Sequence, residues 1–377
     1  NTGSNSFSLT KAGPNQISLN NATVDPALGH IDVQAGMLNF QGSTSSMGNP
    51  ASNIIVRAGA TLSLYDTTTP WDKHFILFGD GTTPNIWNYN GTHTIAGSIA
   101  MNGSCVFGGA PAGRGVPVSV TLAAPVIGTG ALISADAQGA LILAATNDYS
   151  GVTIVSNGTL IVEGISGTNS TTVASGTLEG IGYIRGPVSV LAPGNLSPGD
   201  SGNPLATLVV SNSLTLGGTN TMDVSRSGGV FTADLITNIT SLTLGGVLQL
   251  NLTGEPLAAN DSFRLYSFAS ASGAFSSIVP EIPGSGLKWD TSHLTSDGTL
   301  RVASVNPTPP NMTGHVIGNQ LTLSWPADHT GWLLQGQTNS SGLGSDWVEV
   351  PGSASVNSVS FTIDPANAAV FFRLILP

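Results

Sequence analysis

The densest group of residues able to do chemistry lies between Tyr65 and His93. There Asp66, Asp72, Lys73, His74, Asp80 and His93 are interleaved with Trp71, Phe75, Phe78, Trp87 and Tyr89. Cleaving a polysaccharide needs either a base beside a cation or metal that neutralises a sugar acid, or two carboxylates facing one glycosidic bond. Spacing alone assembles neither, so a lyase or hydrolase stands as the lesser reading. The rings offer something simpler. Trp71, Trp87 and Tyr89, with Asp72 and His74 as polar neighbours, have the makings of a contact surface for a glycan or a protein partner. The plainer alternative is a solvated loop whose aromatic side chains cover the side of the fold.

Other chemistry is sparse. Pro198-Gly-Asp-Ser-Gly-Asn-Pro204 resembles the nucleophile segment of chymotrypsin-like proteases, but a nucleophilic serine needs a histidine base and an orienting carboxylate. No histidine sits in the matching Ala-Ala-His context, and turn chemistry accounts for Pro-Gly-Asp-Ser-Gly by itself. The 6 histidines show neither His-x-His nor His-x-x-x-His spacing, and the Gly-Gly-x-Gly-x-Asp calcium repeat is absent. The single Cys105 excludes an internal disulfide framework. We therefore expect no catalytic residue, no metal and no cofactor.

Composition shows what must position these residues. Only 8% of the chain is charged, where soluble domains average about a quarter, and 48 glycines with many Ser, Thr and Asn take over the surface. This mixture is poor in helix formers and rich in turn formers and β-branched residues, so an all-β fold follows. A net charge of -11 repels phosphate backbones and anionic lipid, which argues against nucleic acid as a partner. Apolar runs such as Ala140 to Ala145 are far shorter than the roughly 20 residues of a membrane span.

Repetition supplies the architecture. Gly36, Gly59, Gly158 and Gly176 each follow a Val by three residues and precede a Leu within three. Thr153-Ile-Val-Ser-Asn-Gly-Thr-Leu-Ile-Val162 contains one of them. Alone it reads as a hairpin with an Asn-Gly turn; as one of several copies it reads as the corner of a coil, with Ile154, Leu160 and Val162 facing inward. Irregular repeats of 18–28 residues built from short strands mean a β-solenoid, whose stacked coils bury a continuous apolar column. The expected architecture is a right-handed parallel β-helix over residues 1–304, a Pro-rich linker over 305–311, and a small immunoglobulin- or fibronectin-like β-sandwich over 312–377 with Trp325, Trp332 and Trp347 in or near its core.

Leu141-Ile-Leu-Ala-Ala-Thr-Asn-Asp-Tyr-Ser-Gly-Val-Thr-Ile-Val-Ser-Asn-Gly-Thr-Leu-Ile-Val-Glu-Gly164 resembles the autotransporter-associated β-strand repeat, with an alternating strand, an Asn-x-Tyr-x-Gly corner and Gly-Thr-Leu before a closing Gly. Residues 205–304 are similar to the last part of such passenger domains. The resemblance implies a parallel β-helix passenger of an exported bacterial protein and says little about activity. With Asn1 opening without Met or an apolar leader, we expect a processed chain from which a leader was removed. The functional expectation is an extracellular or cell-surface structural protein, not an enzyme, that assembles with itself head-to-tail into a filament. The alternative is an adhesin that holds surface glycans.

Overall fold

Thr153–Val162 is a single strand segment, and both its neighbours run parallel to it. It is a coil corner, not a hairpin. Thr153 to Val155 pair with Leu132 to Ser134 on one side and Thr171 to Val173 on the other. Thr159 to Val162 pair with Ala140 to Leu143 and with Thr177 to Gly180. Between the halves, Gly158 bends the chain with φ +62°, and the Asn157 side chain accepts from its amide at 2.9 Å. The corner also resets the alternation of the strand. Val155, Leu160 and Val162 are buried while Ile154 is only half-buried, so the expected inward position of Ile154 is corrected to Val155. An even spacing from Leu160 points to Ile154, but the buried Val155 and Leu160 are five residues apart, so the corner between them shifts the phase by one.

The computed structural model describes residues 5–109, 118–367 and 369–377, and the side chains of all of these except 137 and 138. It is all-β, a parallel β-solenoid of about ten turns with a small antiparallel region at the C-terminal end. Its first compact unit holds residues 1–221, 234–246 and 267–274. Three inward-facing ladders run through the coils. One passes through Ile31, Ile54, Phe75, Ile99 and Val126. A second passes through Leu38, Leu62, Ile86, Phe107, Ser134, Val155, Val173 and Val190. The third passes through His93, Val120, Leu141, Leu160, Leu178 and Leu196. Every one of these residues is buried. Each added coil thus removes several aliphatic side chains from water, worth roughly 1.5–3 kcal/mol apiece.

The Asn-x-Tyr-x-Gly corner has a physical reading. Asn147 is fully buried, and its side chain accepts from the Val126 amide at 3.0 Å and donates to the carbonyls of Ala145 and Ile165 at 2.9 and 2.8 Å. One amide therefore satisfies backbone groups on the coils before and after its own. Tyr149, also fully buried, closes the corner by a 2.7 Å bond between its hydroxyl and that of Thr153.

The second unit holds residues 222–233, 247–266 and 275–377. Val224 to Ser227 form a hairpin with Val230–Ala233, and Thr299–Ser304 is the centre of an antiparallel sheet with Ser262–Arg264 and Leu287–Asp290. Two further three-stranded antiparallel sheets follow. One has Gln320–Ser324 between Thr313–Ile317 and Ser358–Thr362, the other Leu333–Thr338 between Val348–Glu349 and Val370–Ile375. Trp325 joins Leu323 and Leu334 in their core. Trp332 is buried beside it, and Trp347 lies half-buried under the Arg373 guanidinium at 4.3 Å.

Within this unit the Pro-rich segment is fastened down. The Trp332 indole donates to the Asn306 carbonyl at 2.9 Å, and His329 Nε2 lies 2.7 Å from the Thr308 carbonyl. The Glu281 carboxylate accepts from the amides of Gly352 and Ala354, and Gly286 and Ser285 both donate to the carbonyl of Pro377.

Candidate functional site

The segment Tyr65 to His93 is part of a coil, not a lateral loop, and strand alternation sorts its residues. Trp71 is 3% exposed. Its ring stands edge-on to Phe40 at 5.5 Å and to His93 at 6.5 Å, so Trp71 packs the interior and cannot receive a ligand. Asp72 and His74 are exposed on either side of the fully buried Lys73. His74 meets the Ser98 hydroxyl at 2.8 Å and lies in register with Asn53. Trp87 belongs to a different ladder, in register with Ser63, and Tyr89 stands at a bulge just beyond it, between Asn88 and Asn90. The five residues expected to share a site are therefore divided among the core and two strand stacks.

Two of the five, Trp87 and Tyr89, stay together and are joined by Tyr65. Tyr89 is 44% exposed and packs edge-on against Tyr65 at 5.8 Å and Trp87 at 6.2 Å. Trp87 is half-buried, its ring lying where any side chain on Gly108 would fall. In the sequence Tyr65 marks only the start of the segment. Its place beside Tyr89 depends on adjacent coils bringing positions 24 residues apart together, which a linear reading does not show.

The carboxylates of the segment serve turns. Asp80 accepts from the amides of Thr83 and Thr82 at 2.7 and 2.8 Å, and these backbone bonds hold its pKa well below the usual carboxylate range. Asp66 accepts from the Asn90 side chain at 2.7 Å. In the Pro-Gly-Asp-Ser-Gly segment, Asp200 binds the amides of Gly202 and Asn203 at 2.7 and 3.0 Å, which is turn chemistry. Burial pushes the Cys105 thiol up to about 11, away from thiolate reactivity. Among the described residues no group of three or more His, Cys, Asp or Glu is placed to hold a metal ion, and no helix is long and apolar enough to cross a membrane.

His93 sits at the inward end of this region. It is 4% exposed, with Nε2 2.8 Å from the Asn90 carbonyl. Burial lowers its pKa, against smaller opposing effects of the Asn90 carbonyl and Asp66. The unfolded chain then takes up a proton near pH 6.5 that the folded coil resists. Stability should accordingly fall as the pH drops below about 6.5, and less so in His93→Gln. Thermal melts of both proteins at pH 7 and pH 5 measure the difference.

A stretch of 87 residues is 39% identical to the protein named Adhesin BmaC autotransporter from Brucella suis biovar 1 (strain 1330). The match covers 22% of this chain and 2% of that protein, so the chain spans a small fraction of the relative's length. No family model matches the chain. The solenoid and the partial match both agree with the passenger-type β-helix that the repeat resembles.

Proposed function

We propose that this chain is part of a surface-exposed, non-enzymatic adhesin-like passenger. In this reading the solenoid is a scaffold and the Tyr65, Trp87 and Tyr89 cluster is its contact surface for glycans. The observation that carries the reading is the exposed Tyr89, set at a bulge between Asn88 and Asn90 and packed edge-on against two other rings. Such a ring presents a flat apolar face and a hydroxyl at little conformational cost, which suits sugar stacking. The partial identity to an autotransporter adhesin supports the same direction. Extracellular or cell-surface location belongs to this reading. A glycan array probed with the intact chain tests it. Binding to a defined glycan should fall at least tenfold in Tyr89→Ala, whose circular dichroism and melting stay unchanged. A silent array, or binding indifferent to Tyr89 and Trp87, overturns it.

One observation favours self-assembly as a second reading. Ile17 lies in register with Leu38 and Leu62 on an inward ladder, yet is 51% exposed. The strand Gln16–Asn20 carries no charge that would blunt edge pairing. A further coil stacked there, from a second copy of this chain or from another stretch of the same polypeptide, would extend the column. Sedimentation should then show association that grows with concentration and is lost in Ile17→Lys; a monomer at every concentration overturns the reading.

A further inference from the structure

The two C-terminal sheets part on one side. Phe361 and Phe372 meet across them with ring centroids 4.8 Å apart. Beside that contact opens a cleft of about 930 Å³, near the upper end of the range for small-ligand sites. Leu321, Phe361 and Ile363 line it from one sheet, and Val348, Val370 and Phe372 from the other. Val348, Ile363 and Val370 are 69%, 42% and 44% exposed. This is unusual for β-branched residues grouped around one opening. Both sheets also end here in edge strands. Among the described residues, Ser358–Thr362 pairs only with Gln320–Ser324, and Val348–Glu349 only with the strand Leu333–Thr338. An edge strand beside an apolar cleft leaves main-chain donors and acceptors in reach of whatever fills the cleft.

The rim has one sign of charge. Asp346, Glu349 and Asp364 belong to the lining, and no Lys or Arg does. None of the three takes part in an ion pair. Arg373, on a neighbouring strand, is engaged elsewhere, donating to Gln335 at 2.9 Å and lying over Trp347.

We propose that this cleft binds an extended segment of a partner protein in which apolar residues alternate with Lys or Arg. The segment adds a strand along Ser358–Thr362, sets its apolar side chains into the cleft and presents its cations to Asp346 and Asp364. A second copy of this chain is the wrong occupant. With 10 basic against 21 acidic residues and a net charge of -11, it would bring like charge to an acidic rim.

The test uses the intact chain and a fluorescein-labelled synthetic peptide of alternating Val and Lys, with a Val and Glu peptide as its partner. Fluorescence anisotropy should show saturable binding of the basic peptide, at least tenfold tighter than that of the acidic one and weakening with salt. Asp346→Lys combined with Asp364→Lys should reverse the preference. Val348→Ser, which removes the apolar contact without changing the charge of the rim at a site 69% exposed, should weaken the basic peptide severalfold. Amide exchange should slow along Ser358 to Thr362 when the peptide is bound. Equal or non-saturating binding of the two peptides, or a preference that survives the charge reversal, overturns the proposal.

Discussion

Gly158→Ala is expected to destabilise the solenoid by about 3 kcal/mol or more, through strain and a clash together. The residue has φ +62°, a region that costs an L-residue roughly 1 kcal/mol per position. The larger effect is the coil below. A Cβ at this position would lie 1.7 Å from the Asp136 carbonyl oxygen and 2.8 Å from that of Gly139. Neither is the end of a flexible side chain, so the coils must separate or the corner must reopen. Either change disturbs the parallel pairing of Thr153 to Val155 and Thr159 to Val162 on both sides. Gly13→Ala is the control. Its φ is +84°, but a Cβ there meets nothing within 4 Å, so it should cost only the conformational part. Urea titrations of the two variants against the parent, followed by circular dichroism, give the comparison. Equal losses would mean that coil spacing is not what requires glycine at position 158.

The same stretch shows what can be read without coordinates. Gly36, Gly59 and Gly158 recur because each coil must turn at the same place, and that requirement leaves a mark on the sequence. Period-2 burial marks it too, which is why Leu160 and Val162 were foreseeable and the all-β solenoid with them. Phase is not marked. Val155 and Leu160 are five residues apart, so the corner between them breaks the alternation, and even spacing from Leu160 falls on Ile154 where Val155 belongs. The five expected contact residues divide for a related reason. Trp71, Asp72, His74, Trp87 and Tyr89 are near one another in sequence, but each coil turns between them, sending Trp71 inward and the rest to two ladders. Proximity in a solenoid lies one coil away, where Tyr65 meets Tyr89. The buried cations were equally illegible, because their partners are backbone carbonyls that carry no residue identity.

Lys73→Met should destabilise the N-terminal coils by roughly 3 kcal/mol near neutral pH, the cost of leaving buried acceptors unpaired after partial compensation by apolar packing. The Lys73 side chain is fully buried. Its ammonium donates to the Gly29 carbonyl at 2.8 Å and to those of Leu28 and Asn49. It thereby ties two earlier coils to its own, 44 and 24 residues back. Arg185 repeats the device further along, donating to the carbonyls of Ser166 and Asn147. In a chain with 10 basic residues, placing some of them inside is a large commitment, and stacked corners explain it. Carbonyls at a corner turn away from the strand ladders, and one cation can gather several of them. The desolvated ammonium should also give the folded state a pH signature. Burial lowers the Lys73 pKa to about 8, while nearby Asp72 opposes the change. The unfolded chain keeps that proton up to about pH 10.4. Between these limits the unfolded state binds more protons, so stability gains from this group as pH rises, by at most about 1.4 kcal/mol per unit. Lys73→Met should lack that contribution, and the stability difference between the two proteins should therefore widen from pH 8 to pH 10. A difference that stays constant over this range would mean that the three carbonyls hold the ammonium charged and that hydrogen bonding outweighs desolvation at this corner.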